Sequence, residues 1–466
     1  MLRAMEDADV GGDREDVRST TPGRQQTWSD LYSEVCELRR QLSSLASMLP
    51  SSLAFRSVPG TGRTRIYFLG APPSTAWEST LLAADVPAPG DADANRSGGR
   101  LSREEQLLWE RKRLATWGLT SFELHAESGR LVFPVASRLY QCVDLANTAG
   151  ALCPTELQPS MGYAKLNPQI CPHNPDLVAF VCLNDIWVTH TFTGSTVRLT
   201  HYHKGPPSSL SEDPLSAGIP SYVMQEEFSR YAGCWWQPVA STPGVYRIAF
   251  ELVDESAVDI CCFPSAGSAE EFRFPRAGTP NAKSELKVAQ FRLSSSLQIT
   301  DVRVLGLVES LRSNFPFLEY LVRVGWTPEG SHVWCQLLDR RQQRLDLALI
   351  PIESFSVDEE HSLSEPSSPP HLSSPVSPPN SSPAHTICTL YSETSDVWVN
   401  VHDVLYFFPV ESSNCQRTFL WASEESGFRH LYLLTVALGP GAATNCVDEL
   451  PGTQGGVFSF TSIVLC

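Results

Sequence analysis

No run of about eighteen residues in this 466-residue chain is free of both charge and turn-formers, so no membrane-spanning helix is expected. Basic charge is scarce as well: 35 Lys and Arg stand against 52 Asp and Glu, a net of −17, and no basic block reverses that sign locally. A reader of the nucleic-acid phosphate backbone is thereby excluded. The opening MLRAMEDADVGGDRED lacks the basic and then apolar pattern of a secretory signal, which makes a cytoplasmic address the simplest one. The 13 cysteines show no tandem spacing, and the adjacent Cys261 and Cys262 cannot readily bridge within a strand, so all are read as reduced thiols. Catalytic motifs are missing too. There is no G-x-S-x-G elbow, no Gly-rich phosphate loop, no H-E-x-x-H and no paired C-x-x-C, and therefore no catalytic residue, metal or cofactor is assigned.

What is present describes a folded body: 42% apolar and 19% charged residues suit a globular chain. Residues 1–27 are polar and read as a disordered leader. From Trp28 to Leu49 apolar residues recur in helical steps at Leu31, Val35, Leu38, Leu42 and Leu45, the pattern of one buried face. IYFL at 66–69 reads as a short strand, and LSREEQLLWERKRL, with Ser102 and Glu105 as a capping box, reads as a second helix. Residues 28–120 are thus expected to be helical and linker in character. From about residue 121 short apolar runs alternate with Gly, Pro, Asn and Asp, and five runs read as hairpins, starting at Leu131, Leu177, Tyr246, His332 and Thr418. Their irregular spacing suits a structural repeat with insertions. DIWV at Asp185 and DVWV at Asp396 resemble the blade signature of propellers. Mainly β architecture over 121–438 follows, with a Ser- and Pro-rich loop at 354–386 expected to be disordered. Its Ser-Pro steps at Ser368, Ser374, Ser377 and Ser382 have the composition of phosphorylation sites, although a tolerated insertion explains them equally.

Two constellations invite chemistry. His201 and His203 in LTHYHKG project from one side of a strand, as two metal ligands would, but no third ligand stands at a telling distance and a solvated strand end is the alternative. SYVMQEEFSRYAGCWWQP, from Ser221 to Pro238, is more informative. Glu226 and Glu227 are consecutive and are followed by Phe228, Tyr231, Trp235 and Trp236. Neighbouring carboxylates converge on one cation only from an irregular turn or helix end, and aromatic walls strengthen their attraction to an ammonium group. Such a pair suits a free α-amine, largely charged at neutral pH. The plainer alternative is a helix N-terminus carrying two favourable acids.

QEEFSRYAGCWW, SREEQLLWERKRLATWGLTSFELHAESGRLVF, NPQICPHNPDLVAFVCLNDIWV, VRVGWTPEGSHVWCQLLDRRQQRL and SDVWVNVHDVLYFFP resemble segments of the dipeptidyl peptidase IV family, within the prolyl oligopeptidase superfamily, and most nearly its cytosolic subgroup of dipeptidyl peptidases 8 and 9. The resemblance runs from roughly Trp28 to Val436. It implies an incomplete β-propeller, about five blades of an eight-bladed ring, with N-terminal helices. It also implies that Glu226 and Glu227 hold the charged N-terminus of a peptide substrate. An Arg before the first blade would meet a substrate carbonyl: Arg113 is the best match, Arg111 the near alternative, and a cation at a helix C-terminus the plain reading of either. In the family a propeller narrows access to a hydrolase domain bearing Ser, Asp and His, and cleavage falls after a second residue that is usually Pro or Ala. Residues 439–466 lack the family's continuation, so the chain is expected to be truncated before that domain and inactive alone. The motif has Cys234 where the family would place Tyr. Residues 261–291 correspond to the arm through which relatives form dimers, so a homodimer is conceivable for a complete relative. The expected role is substrate gating in an exopeptidase that releases N-terminal Xaa-Pro or Xaa-Ala dipeptides, with no nucleic-acid or membrane partner. The rival is a non-catalytic β-propeller that binds protein partners.

Overall fold

A computed structural model of the chain describes residues 32–38, 50–58, 63–71, 78–86, 111–112, 117–135, 137–145, 152–158, 162–205, 210, 212–265, 268–358, 387–409 and 416–438. Among them six principal sheets follow one another along the chain. The first contains Ser51–Val58, Arg63–Gly70 and Glu78–Val86, with short Trp117–Gly118 added in parallel. The second runs from Glu123–His125 to Thr155–Glu156 and the third from Leu166–Cys171 to Thr196–Arg198, each with four strands paired in chain order. The fourth has six strands, the fifth is built from Leu318–Trp326, His332–Asp339, Arg344–Pro351 and Cys388–Thr394, and the sixth from Leu405–Phe407, Gln416–Ser423 and His430–Ala437.

Strand residues alternate between two buried faces, which is why these strands read as continuous apolar runs. In the second sheet Leu131 and Phe133 pack on Tyr67 of the first, while Val132 packs toward Val178 and Phe180 of the third. Along Val245–Asp254 of the fourth sheet, Ile248, Phe250 and Leu252 meet the third sheet and Ala249 meets the fifth. Leu345, Leu347 and Leu349 turn to Phe419 and Trp421 of the sixth, and Ala348 and Ile350 turn back. Consecutive antiparallel sheets packed face to face in this way make an incomplete β-propeller.

Several expectations are corrected. The strand expected at 66–69 lies within Arg63–Gly70, but Ser51–Val58 and Glu78–Val86 are also strands where a helical and linker segment was expected, with Tyr67 and Leu69 buried in the sheet they form. Residues 32–38 are helical, yet Val35 and Leu38, 43% and 52% exposed, do not lie on a buried face. The run from Tyr246 is not a hairpin: Val245–Asp254 pairs with Lys283–Leu293, and Ile260–Ser265 pairs instead with Ser268–Arg273 as a separate two-stranded arm. That arm is shorter than 261–291, since residues 283–291 belong to the blade. The hairpins at Leu131, Leu177, His332 and Thr418 are present. DIWV lies on Asp185–His190, whereas DVWV lies outside any strand with Trp398 60% exposed. Phe355–Val357, expected within a disordered loop, pairs with Ile299–Leu307 at the edge of the fourth sheet. The leader 1–27, the capping box at Ser102, loop residues 359–386 and the tail 439–466 lie outside the described residues.

The fourth sheet carries the break that creates the site. Leu215–Ala217 and Cys234–Trp236 pair in line along one edge of Val245–Asp254, Ala217 opposite Leu252 and Cys234 opposite Phe250. Between these partners Glu251 closes the gap: its N–H donates to the Gly233 carbonyl at 2.8 Å, and its carbonyl accepts from the Gly218 N–H at 3.0 Å. Residues 219–232 are thereby extruded as a closed loop. Gly218 sits at φ +80°, and a Cβ on Gly233 would lie 2.5 Å from the Gly218 carbonyl carbon, so the neck closes only without side chains.

Gly233→Ala is therefore expected to cost roughly 1–3 kcal/mol, as overpacking does, read as a fall in denaturant midpoint; a wild-type midpoint would refute the closed neck. None of the ten described cysteines is in a disulfide. Burial pushes the Cys171 and Cys234 thiols up to about 12, whereas Cys153 and Cys262 are exposed. Alkylation of the native chain at neutral pH should mark Cys153 and Cys262 and spare Cys171 and Cys234, as peptide mapping would show.

Candidate functional site

Within the extruded loop Tyr222–Glu226 forms one short helix that begins after Ser221 and is capped at its C-terminus by Glu227. The acid pair thus occupies the helix C-terminal end, and the N-terminal alternative is excluded. Carboxylates are disfavoured at that end of the dipole, so their placement is not explained by local helix stability. Glu226 is half-buried and Glu227 exposed. Beneath them Met224 and Phe228 are buried against the fifth and sixth sheets, and the Phe228 ring lies 5.3 Å from that of Tyr320.

The loop is held from several sides. Arg230, buried, pairs with the fully buried Glu251 at 2.8 Å and donates to the carbonyls of Ala232 at 3.0 Å and Leu321 at 2.9 Å. The Ser284 hydroxyl donates to the other Glu251 oxygen at 2.6 Å. A buried pair of this kind need not add stability over apolar residues, but losing one partner strands a charge at a cost of about 3–5 kcal/mol. From the third sheet Asn167 donates to the Tyr231 carbonyl at 2.7 Å and Gln169 to the Cys234 carbonyl at 2.8 Å. Cys234 is itself 1% exposed. Trp326 donates to the Trp235 carbonyl at 2.9 Å from the fifth sheet.

Arg111, helical, comes against this loop: its guanidinium donates to Gln225 Oε1 at 2.8 Å and lies 5.4 Å from the Tyr222 ring centre. Arg111 thus lies beside the acid helix, and Arg113 lies outside the described residues. The Tyr222 ring also meets Phe274 at 5.1 Å, at the root of the arm. Near that root burial pushes the Glu255 carboxyl up to about 7, while Arg273 and Arg111 pull it the other way. The His pair is not set out on a strand: residues 201–205 are irregular, and His203 Nδ1 lies 3.0 Å from the Leu215 carbonyl and 3.2 Å from Asp213. No group of metal-holding side chains occurs among the described residues.

Gln225, Arg230, Glu251 and Asn167 went unnoticed in the sequence. Arg230 reads as a surface cation three residues past the acids, and its partner Glu251 sits in an apolar strand 21 residues on. A charge inside the run YRIAFELVD was the one available signal.

Residues 137–455 match the model of the dipeptidyl peptidase IV (DPP IV) N-terminal region. The chain is 34% identical over 442 residues to dipeptidyl peptidase 8 of Homo sapiens and 33% identical over 442 residues to that of Mus musculus. In each case the match covers 88% of this chain and 48% of the relative, so the chain spans about half the length of the curated relatives it matches. With most of its length under the family model and its sheets packed as propeller blades, the chain belongs to the dipeptidyl peptidase IV family and carries that family's N-terminal region.

Proposed function

We propose that this chain is the substrate-gating propeller part of a dipeptidyl peptidase 8-like serine exopeptidase that releases N-terminal Xaa-Pro or Xaa-Ala dipeptides. The observation that carries the reading is the placement of Glu226 and Glu227 at the C-terminal end of a helix extruded through a break in a blade strand. Two carboxylates set against the helix dipole gain no stability from that dipole. They offer a rigid pair of acceptors for a cation. A peptide's free α-amine is the matching group, with a reference pKa of about 8. Fixing the N-terminus at a set distance from a nucleophile makes cleavage after the second residue a matter of geometry rather than of sequence reading.

The nucleophile, base and oxyanion donors that acyl transfer requires are assigned to no residue of this sequence, so the chain is proposed to bind and orient without turning substrate over. The hairpin arm at 260–273 presents Phe263, 55% exposed, and is proposed as a contact between two copies of the complete protein. A cytoplasmic site of action is proposed because none of the described cysteines is in a disulfide; among the described residues no helix is long and apolar enough to cross a membrane.

Two measurements test this. Calorimetric titration with an Xaa-Pro peptide should show binding when the N-terminus is free, and acetylation or Glu226→Ala should weaken it by about 1.5–3 kcal/mol, the size of a hydrogen bond to a charged group. Equal affinity for both peptides would leave the propeller as a protein-interaction module. A chromogenic Xaa-Pro reporter should release no product with the purified 466-residue chain; steady turnover would overturn the division of labour.

A further inference from the structure

The helix at residues 32–38 is at odds with the packing of the sheets. Tyr32, Val35 and Leu38 are 74%, 43% and 52% exposed, and neither Val35 nor Leu38 joins any of the apolar clusters that hold the sheets together. A helix of that length is marginal in water by itself, and its apolar stripe is the face a helix ordinarily buries. The sequence around it says what the stripe fits. From Leu31 the apolar positions advance by four, three, four, three and four residues, through Val35, Leu38, Leu42 and Leu45 to Leu49, and Pro50 stops the run. Alternating steps of four and three make a heptad, with Leu at each d position and Val35, Leu42 and Leu49 at a. Beside this seam Glu34 falls at g, and Arg39, five residues on, falls at the next e. In a parallel pair of helices a g residue of one chain meets that e residue of the other, and here the two charges are opposite.

We infer that this segment is a dimerisation helix: residues 31–49 pair with the same residues of a second copy of the chain as a parallel two-stranded coiled coil, with Val35 and Leu38 in the seam and Glu34 of each copy opposite Arg39 of the other. Leu at d together with a β-branched residue at a is the combination that favours two parallel strands. A second copy suits the pattern because one twofold axis along the coil uses the same seam twice and satisfies both Glu–Arg pairs at once. A bilayer surface does not suit it, since residues 31–49 carry two acids and two arginines and so have no net positive charge to draw them to anionic lipid. Parallel helices release both chains at the same end of the coil, one residue before each Ser51–Val58 strand begins. This contact is independent of the hairpin arm at 260–273 and of any reading of the acid pair.

The test is sedimentation equilibrium of the 466-residue chain over a series of concentrations, in a Phe263→Ser background so that the exposed aromatic of the arm does not carry the association. The chain should show a monomer–dimer equilibrium. Leu38→Asp should weaken the dimer about a hundredfold, because it sets two carboxylates against each other in an apolar seam, and should leave the melting temperature unchanged, because position 38 lies outside the core of the sheets. Glu34→Arg should weaken it about tenfold, as should Arg39→Glu, since each reversal places two like-charged pairs across the coil. The double exchange of Glu34→Arg with Arg39→Glu should restore the original dissociation constant. Neighbours on one helix stand three or four residues apart, so positions 34 and 39 do not face each other within a chain and the restoration reports a contact between chains. A monomer at every concentration, a dimer indifferent to Leu38→Asp, or a double exchange that stays as weak as the single ones would overturn the inference. Should Leu38→Asp fail to fold, the charge exchange at the helix surface decides the matter alone.

Discussion

The two backbone hydrogen bonds of Glu251 hold together features that otherwise have little in common. Its N–H and carbonyl take the places where a continuous strand would pair, and they reach Gly233 and Gly218, whose backbones touch. A strand edge left with unpaired groups inside a packed propeller would be costly, and a bulky residue at either glycine would hold the neck open. Because the neck closes, the sheet keeps its ladder above and below the break, and the chain between is free to build something other than β-structure. The same residue's side chain then anchors that loop through Arg230. Sheet integrity and site placement are therefore set at one position.

The acids show what this arrangement makes possible. In the middle of a blade, neighbouring residues point to opposite faces and two consecutive carboxylates diverge. At the frayed end of a five-residue helix they need not. The helix is too short to persist on its own and depends on Met224 and Phe228 sinking between the fifth and sixth sheets. Loop and sheets are thus coupled: third-sheet amides hold the exit of the loop, fourth- and fifth-sheet groups hold Arg230, and Arg111, between the last two strands of the first sheet, meets Gln225. A loop held from so many sheets requires the propeller to be packed before it takes this form.

Family membership and the amine-clamp reading have different supports. Membership follows from the match over residues 137–455 and from the run of face-packed sheets. The clamp is a proposal, supported by a local oddity: two charges placed where the helix dipole opposes them.

Much of this was legible in the amino-acid order. Short apolar runs broken by polar turns at Leu131, Leu177, His332 and Thr418 are hairpins because strands buried on both faces read as continuous apolar segments, and QEEFSRYAGCWW singled itself out by placing two acids among aromatics. Local pattern failed where pairing is non-local. Val245–Asp254 and Ile260–Ser265 look like the two halves of a hairpin, yet the first pairs with a strand beyond the arm, a choice made by the packing of whole sheets. DVWV has the residues of a strand but lies irregular, with Trp398 at the surface. Which end of the helix holds Glu226 and Glu227, that Arg230 finds Glu251, and that Gln225 meets Arg111 across 114 residues of chain were decided only in three dimensions. Side chains that serve a site by holding other side chains leave no periodic trace, because their partners are chosen by the fold and not by their neighbours in sequence.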